Sequence, residues 1–136
     1  MEGIKLTITE KPKPVELGNY RERVDSKINS VVSKYNLNVE RFRTTLFKES
    51  GLNHYREDLY NKPQLEAKTL KINPTGHIGI AQFNPRTFKG NQGYMNRPDL
   101  DVNNVFDQIE VMGYMWSKNQ QCQWEAYGRT YGGCNY

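Results

Sequence analysis

A chain of 136 residues is long enough for one domain with its own core. Apolar content is modest at 36%, yet aromatic content is 12% with nine Tyr, which argues against disorder, and no apolar run is long enough to cross a membrane. The formal charge of +4 and a pI near 9.0 suit a polyanionic partner, but the basic residues are scattered with no run of five, which argues against nucleic acid.

Residues 1–15 read as an extended arm. Ile4-Lys5-Leu6-Thr7-Ile8-Thr9 alternates like a strand, and Lys11-Pro12-Lys13-Pro14 is a stiff linker to a domain over residues 16–136. Met1-Glu2-Gly3 opens no signal peptide, so the expectation is a chain made without one or a mature form with a start Met added. A first helix is predicted from about Asn19 to Tyr35, with Val24, Ile28, Val31, Val32 and Tyr35 on one face. Asn36-Leu37 breaks it. Asn38 caps a second helix carrying Val39, Phe42, Leu46 and Glu49 at spacings of three, four and three, and Gly51 stops it.

From Asn53 to Thr75 the pattern is irregular, with turn signals at Asn61-Lys62-Pro63 and Asn73-Pro74-Thr75-Gly76 and a short strand or hairpin at Leu65–Ile72. Asn84-Pro85 is a cap with proline at the first helical position, so a short helix is expected from Pro85 to about Lys89, then a loop to Pro98. Asp101-Val102-Asn103-Asn104 opens a longer helix whose stripe is Val102, Val105, Phe106, Ile109, Met112, Gly113 and Trp116. A last helix spans Gln123 to about Tyr131, with Trp124, Tyr127 and Tyr131 on one side, ended by Gly132-Gly133. No repeat is present. The expected class is α+β, mostly helical, with a small β-hairpin region.

Two cysteines, two histidines and no Cys-x-x-Cys argue against a zinc site, and no metal or organic cofactor is implied. Cys122 and Cys134 are either two free thiols or a disulfide. The disulfide is expected, because it would pin a mobile C-terminal segment and suits an extracellular setting.

Two segments carry chemistry. Glu49 shares a helical face with Phe42 and Leu46, where partial desolvation disfavours the charged carboxylate. General acids in comparable pockets have a pKa raised well above the usual carboxylate range, and such a group can hold a proton near neutral pH. The other reading is a helix-end Glu bonded to backbone or paired with Arg43 or Arg56. About thirty residues downstream, Gly76-His77-Ile78-Gly79-Ile80-Ala81-Gln82 is a glycine-rich turn, with Ile78 and Ile80 anchoring it in the core. Gln82 either offers its amide to sugar hydroxyls or satisfies backbone groups of a buried turn. His54 and His77 sit in no Ser/Asp or Cys arrangement, so no nucleophilic triad is indicated.

Glu49-Ser50-Gly51, then Gly76-x-x-Gly79-Ile80-Ala81-Gln82-x-x-Pro85-x-Thr87, then Ala126-Tyr127, resemble the soluble lytic transglycosylase and goose-type lysozyme superfamily over roughly residues 20 to 131. The resemblance implies a lysozyme-like fold that cleaves the MurNAc–GlcNAc β-1,4 bond of peptidoglycan. By it, Glu49 is the single acid/base, first protonating the glycosidic oxygen and then activating the MurNAc 6-hydroxyl to give a 1,6-anhydro product. Ser50 would orient Glu49 or contact the glycan, Gln82 would hold substrate, backbone at Ile80 and Ala81 would line the cleft, and Tyr127 would sit over the carboxyl.

Ala81 stands where the family carries Met, and Gly128 where it carries Asn. Glu57, Asp58 and Glu66 lie between the first two motifs, so a second carboxylate serving hydrolysis stays open, as in a lysozyme. A non-catalytic wall-binding or structural module and a basic nucleic-acid-binding domain are the rivals. The resemblance places the chain outside the cell or at the wall, in a phage lysin or a wall-remodelling enzyme. The implied partner is the peptidoglycan glycan strand, bound by a monomer without membrane insertion.

Overall fold

Helix-capping residues and apolar periodicity set out most of the architecture. The computed structural model describes residues 18–60 and 76–135. Helix α1 spans Tyr20–Tyr35. It opens on a capping box in which the Asn19 side chain accepts from the Glu22 N–H and Glu22 reaches back to the Asn19 N–H. It closes on Asn36 in the left-handed region, which Asn tolerates better than most residues. Asn38 caps α2, Val39–Glu49, by accepting from the Arg41 N–H at 2.9 Å. A short helix α3 covers Glu57–Tyr60. Then follow α4, Pro85–Met95, and α5, Val105–Ser117, the latter capped by Asn104. A 3₁₀ turn at Gln121–Gln123 leads into α6, Glu125–Tyr131.

Helix α5 is the spine. Ile109, Val111 and Met112 are fully buried, and α5 packs on α1 and α4. Gly113 lets α1 approach closely: a Cβ there would run into Val31 and meet the Tyr35 ring. Phe42 and Leu46 of α2 are fully buried in the same core, and each such side chain contributes about 1.5–3 kcal/mol relative to exposure. Phe42 meets Trp116 edge-on at 5.2 Å, which ties α2 to α5.

Glu110 of α5 is also buried, and it is fully compensated. Lys27 and Lys34 of α1 donate to it at 2.8 and 2.6 Å, and the Tyr35 hydroxyl donates at 2.9 Å. Burial opposes ionisation of this carboxyl, but the two ammonium groups and the hydroxyl overcome it and hold the pKa down at about 2.

The expected elements hold with two corrections. Helix α4 does not stop near Lys89 but runs to Met95, where Asn96 adopts the left-handed cap. Gly90 and Gly93, read as loop residues, are exposed helical positions. Phe88 and Asn91 bury one side of the helix, and Gln92 secures its exit by donating to the Arg97 and Leu100 carbonyls. The second correction concerns β structure. Helices cover 63% of the described residues and no sheet forms among them; the one β feature there is an isolated bridge between Ile78 and Phe83. The strand or hairpin expected at Leu65–Ile72 and the arm at residues 1–15 lie outside the described residues.

The expected disulfide between Cys122 and Cys134 closes the segment after α5. No helix among the described residues is long and apolar enough to cross a membrane.

Candidate functional site

The site begins at the C-terminal end of α2. The apolar run of that helix carries Phe42 and Leu46 into the core and leaves Glu49, its last residue, half-buried at the rim. Two left-handed residues follow, Gly51 and Leu52, so the chain turns away at once and the carboxyl stands at a corner. Glu49 lines a cleft of about 680 Å³ with Lys48, Gln82, Glu125, Ala126 and Arg129.

The electrostatics of Glu49 differ from those of a structural ion pair. Among the described residues its carboxyl accepts one hydrogen bond, from the Ala126 N–H at 3.3 Å. Neither Arg43 nor Arg56 takes it: Arg43 lies 3.4 Å from Asp25, and Arg56 forks onto Asp58 at 2.6 and 2.8 Å. Burial pushes the Glu49 pKa up; the Ala126 N–H opposes this, Glu125 adds to the rise and Arg129 opposes it. A position at a helix C-terminus, the negative end of the helix dipole, also disfavours a charged carboxylate. A carboxyl so placed can hold a proton closer to neutrality and deliver it to a group bound in the cleft.

The glycine-rich turn contributes Gln82 to the cleft. Ile78 and Phe83 exchange both backbone hydrogen bonds, at 2.9 and 2.8 Å, and close a tight loop between them. Gly79 has φ +84, and a Cβ there would collide with the Gln108 side chain. Gln108, almost fully buried on α5, accepts from the Ala81 N–H at 2.9 Å and donates to the carbonyls of Ile78 and Val102 at 3.1 and 2.7 Å. Trp124 holds the other edge by donating to the Ala81 carbonyl at 2.9 Å. The turn is thereby stapled by Gln108 of α5 and by Trp124, the residue that precedes α6, and it presents Gln82 to the cleft.

Gln82 is in the left-handed region at φ +53, a sparsely populated conformation for a residue with a side chain. Its amide donates to the Gly79 carbonyl at 2.8 Å while the side chain lines the cleft. Gln82 thus satisfies a carbonyl of its own turn and lines the same cleft as Glu49.

Other expected site residues sit elsewhere. Ser50 is 1% exposed; its hydroxyl donates to the Phe47 carbonyl and its own carbonyl accepts from the Tyr60 hydroxyl, so it closes the helix end and is out of reach of a glycan. Ile80 and Ala81 are fully buried, and both backbone groups of Ala81 are taken by Gln108 and Trp124. They support the turn from behind instead of lining the cleft. Tyr127 lines a neighbouring pocket of about 320 Å³; its hydroxyl accepts from Arg41 at 3.1 Å and its ring meets Trp116 edge-on.

Glu57 lies 3.7 Å from Arg23 and Asp58 is held by Arg56; neither lines the cleft, and Glu66 lies outside the described residues. His54 stacks on Phe47 at 3.6 Å, and burial, then Arg43, lowers its pKa.

Two residues of consequence escaped sequence reading. Glu125, at the start of α6, is the carboxylate that shares the cleft with Glu49, and it is 3.2 Å from Arg129. Its position in the first turn of a helix reads as an ordinary dipole partner, so nothing local marks it. Gln108 did carry a signal: a lone carboxamide three residues after Val105 and one before Ile109, inside an apolar stripe. Among the described residues no group of three or more His, Cys, Asp and Glu is arranged to hold a metal ion. A scan against protein-family models and searches of curated proteins and of solved structures found no match to this chain. The functional reading therefore rests on the cleft itself.

Proposed function

We propose that the protein cleaves the MurNAc–GlcNAc β-1,4 bond of peptidoglycan, with Glu49 as general acid and base, in the manner of a lytic transglycosylase. One observation carries the reading: Glu49 stands half-buried in an open cleft, bonded to the Ala126 N–H, with burial raising its pKa. The sequence resemblance in the Glu49 and Gln82 segments supports it. In the proposed reaction Glu49 donates its proton to the glycosidic oxygen as the C–O bond breaks. The resulting carboxylate then takes the proton of the MurNAc 6-hydroxyl, whose oxygen bonds to the anomeric carbon and closes the 1,6-anhydro ring. Gln82, presented by the stapled turn, contacts the sugar in the same cleft. The proposed fold is lysozyme-like and the proposed site of action is the cell wall.

A second reading, hydrolysis, is favoured by one specific feature. Glu125 places another carboxylate in the cleft, where it could activate water in place of the 6-hydroxyl.

Digestion of purified peptidoglycan by the wild type, Glu49→Gln and Glu125→Gln, with product masses determined, tests both. Anhydro-muropeptides from the wild type and from Glu125→Gln, and none from Glu49→Gln, are expected. Reducing ends lost in Glu125→Gln would establish hydrolysis instead. Equal products from the wild type and Glu49→Gln would remove Glu49 from the chemistry.

A further inference from the structure

The seam between α2 and α6 bears two cations that no carboxylate among the described residues neutralises. Arg41 donates to the Tyr127 hydroxyl at 3.1 Å and lies over the Tyr131 ring at 4.5 Å. Lys48 donates to the Thr130 hydroxyl at 2.9 Å. Neither has a carboxylate within ion-pair distance among the described residues. Arg43, Arg56, Arg97 and Arg129 each do. Both side chains are exposed, and the contacts each makes leave further N–H donors unused. Their spacing of seven residues puts them on one face of α2, about 10 Å apart along its axis.

The seam also links two recesses. Lys48 and Thr130 belong to the Glu49 cleft. Arg41 and Tyr127 belong to the second pocket, whose lining adds Asn36, Asn119 and Gln121 and contains no acidic residue. The Tyr127 ring, which lines this pocket, packs on the Tyr131 ring, whose face carries the Arg41 guanidinium. Positive charges spaced along one helix face, with carboxamides and a tyrosine lining the pocket beside Arg41, suit a hydroxylated chain that carries carboxylates at intervals.

We infer that the α2–α6 seam is a binding track for the anionic glycan, in which Lys48 and Arg41 engage carboxylates of the substrate's lactyl and peptide substituents and the second pocket receives the strand beyond the cleaved bond. The inference rests on the glycosidase reading and deepens it. It makes the protein selective for acid-bearing glycans over neutral N-acetylglucosamine polymers. The two cations supply affinity and selectivity, and Glu49 supplies the chemistry.

The experiment separates the two claims by measuring binding with cleavage disabled. Full-length Glu49→Gln protein is sedimented with peptidoglycan sacculi freed of phosphate polymers, and in parallel with insoluble chitin, at low and at high NaCl. Adding Arg41→Gln and Lys48→Gln together is expected to weaken binding to sacculi about three- to tenfold at low salt, since each exposed charge contact is individually modest. The same pair of changes should flatten the salt dependence and leave chitin binding unchanged.

Because Arg41 also holds α6, a charge-preserving pair, Arg41→Lys with Lys48→Arg, is measured beside it and should keep sacculus binding within about twofold. Unchanged binding to sacculi in the Gln pair, or an equal loss on chitin, overturns the track. So does a loss in the charge-preserving pair that matches the Gln pair. None of these outcomes bears on Glu49, whose role is decided by products from the otherwise wild-type chain.

Discussion

Two glutamates of this protein, Glu110 and Glu49, are both withdrawn from water and end in opposite electrostatic states. Glu110 faces two lysines and a tyrosine across the α1–α5 interface and is held ionised, its pKa down at about 2. Glu49 accepts from the Ala126 N–H and has Glu125 and Arg129 beside it with opposing effects, so burial prevails and its pKa moves up. Burial acts in the same direction on both; what differs is the company each carboxyl keeps. The deeper of the two is a closed network with its acceptors occupied. The shallower opens onto a cleft with acceptor capacity unused, which is the condition for exchanging a proton with a bound molecule.

Breaking each glutamate tests this contrast. The largest effect is expected of Glu49→Gln on the proposed reaction: peptidoglycan cleavage, followed as release of soluble muropeptides, should fall by about 10²–10⁴-fold, the range of a lost general acid. Glu110→Ala should leave no such mark on the chemical step but should cost about 2 kcal/mol of stability in urea denaturation. That is below the usual cost of breaking a buried pair, because Lys27 and Lys34 are partly exposed and regain water. Unchanged stability would show that the Glu110 network is only a surface pair.

Gln108→Leu comes next. It leaves the Ala81 N–H and the carbonyls of Ile78 and Val102 without their partner, at a cost of about 1–2 kcal/mol, and should loosen the turn that presents Gln82. A stability loss with full retention of cleavage would show that the turn does not need its staple.

The smallest effect, and the sharpest for the comparison, is the pH dependence of stability. The pKa of Glu110 is depressed from its ordinary 4.5, so its contribution is present above that value and is lost as the pH falls toward about 2. The pKa of Glu49 is raised, so the folded state is favoured below its ordinary value of 4.5 and that advantage is lost as the pH rises through the folded-state pKa. Glu49→Gln should therefore be slightly more stable than the wild type at neutral pH, with the gap closing on acidification. Glu110→Gln should show the reverse, a deficit at neutral pH that shrinks in acid. Thermal melts of both variants between roughly pH 3 and 8 check the pair of signs. Curves of the same sign would mean that the two environments are not opposed.

Legibility from sequence followed the range of the interaction. The Asn38 and Asn84 caps lie at the helix starts expected of them, because a cap bonds backbone only two or three residues away. Helix α4 was read too short because two glycines suggest a loop. Its continuation depends on Phe88 and Asn91 being buried, which no local pattern states. Glu49 was legible because helical spacing put it beside Phe42 and Leu46. Ser50 and Ala81 were placed at the cleft by motif neighbourhood alone, and packing turned both inward.

By itself the sequence determined where helices begin, which faces are apolar, that a carboxyl ends the apolar face of α2, and that a glycine-rich turn follows it. Each is written in residues within a turn or two of one another. Tertiary structure alone decided what meets that carboxyl. Its Ala126 partner is 77 residues away, the Gln108 staple reaches 27 residues back to the turn, and Lys27 finds Glu110 across 83 residues. Such pairs depend on how helices pack, and packing is set by the whole core at once. The charge state of a buried acid, and with it the candidate chemistry of Glu49, is therefore a property of the assembled fold.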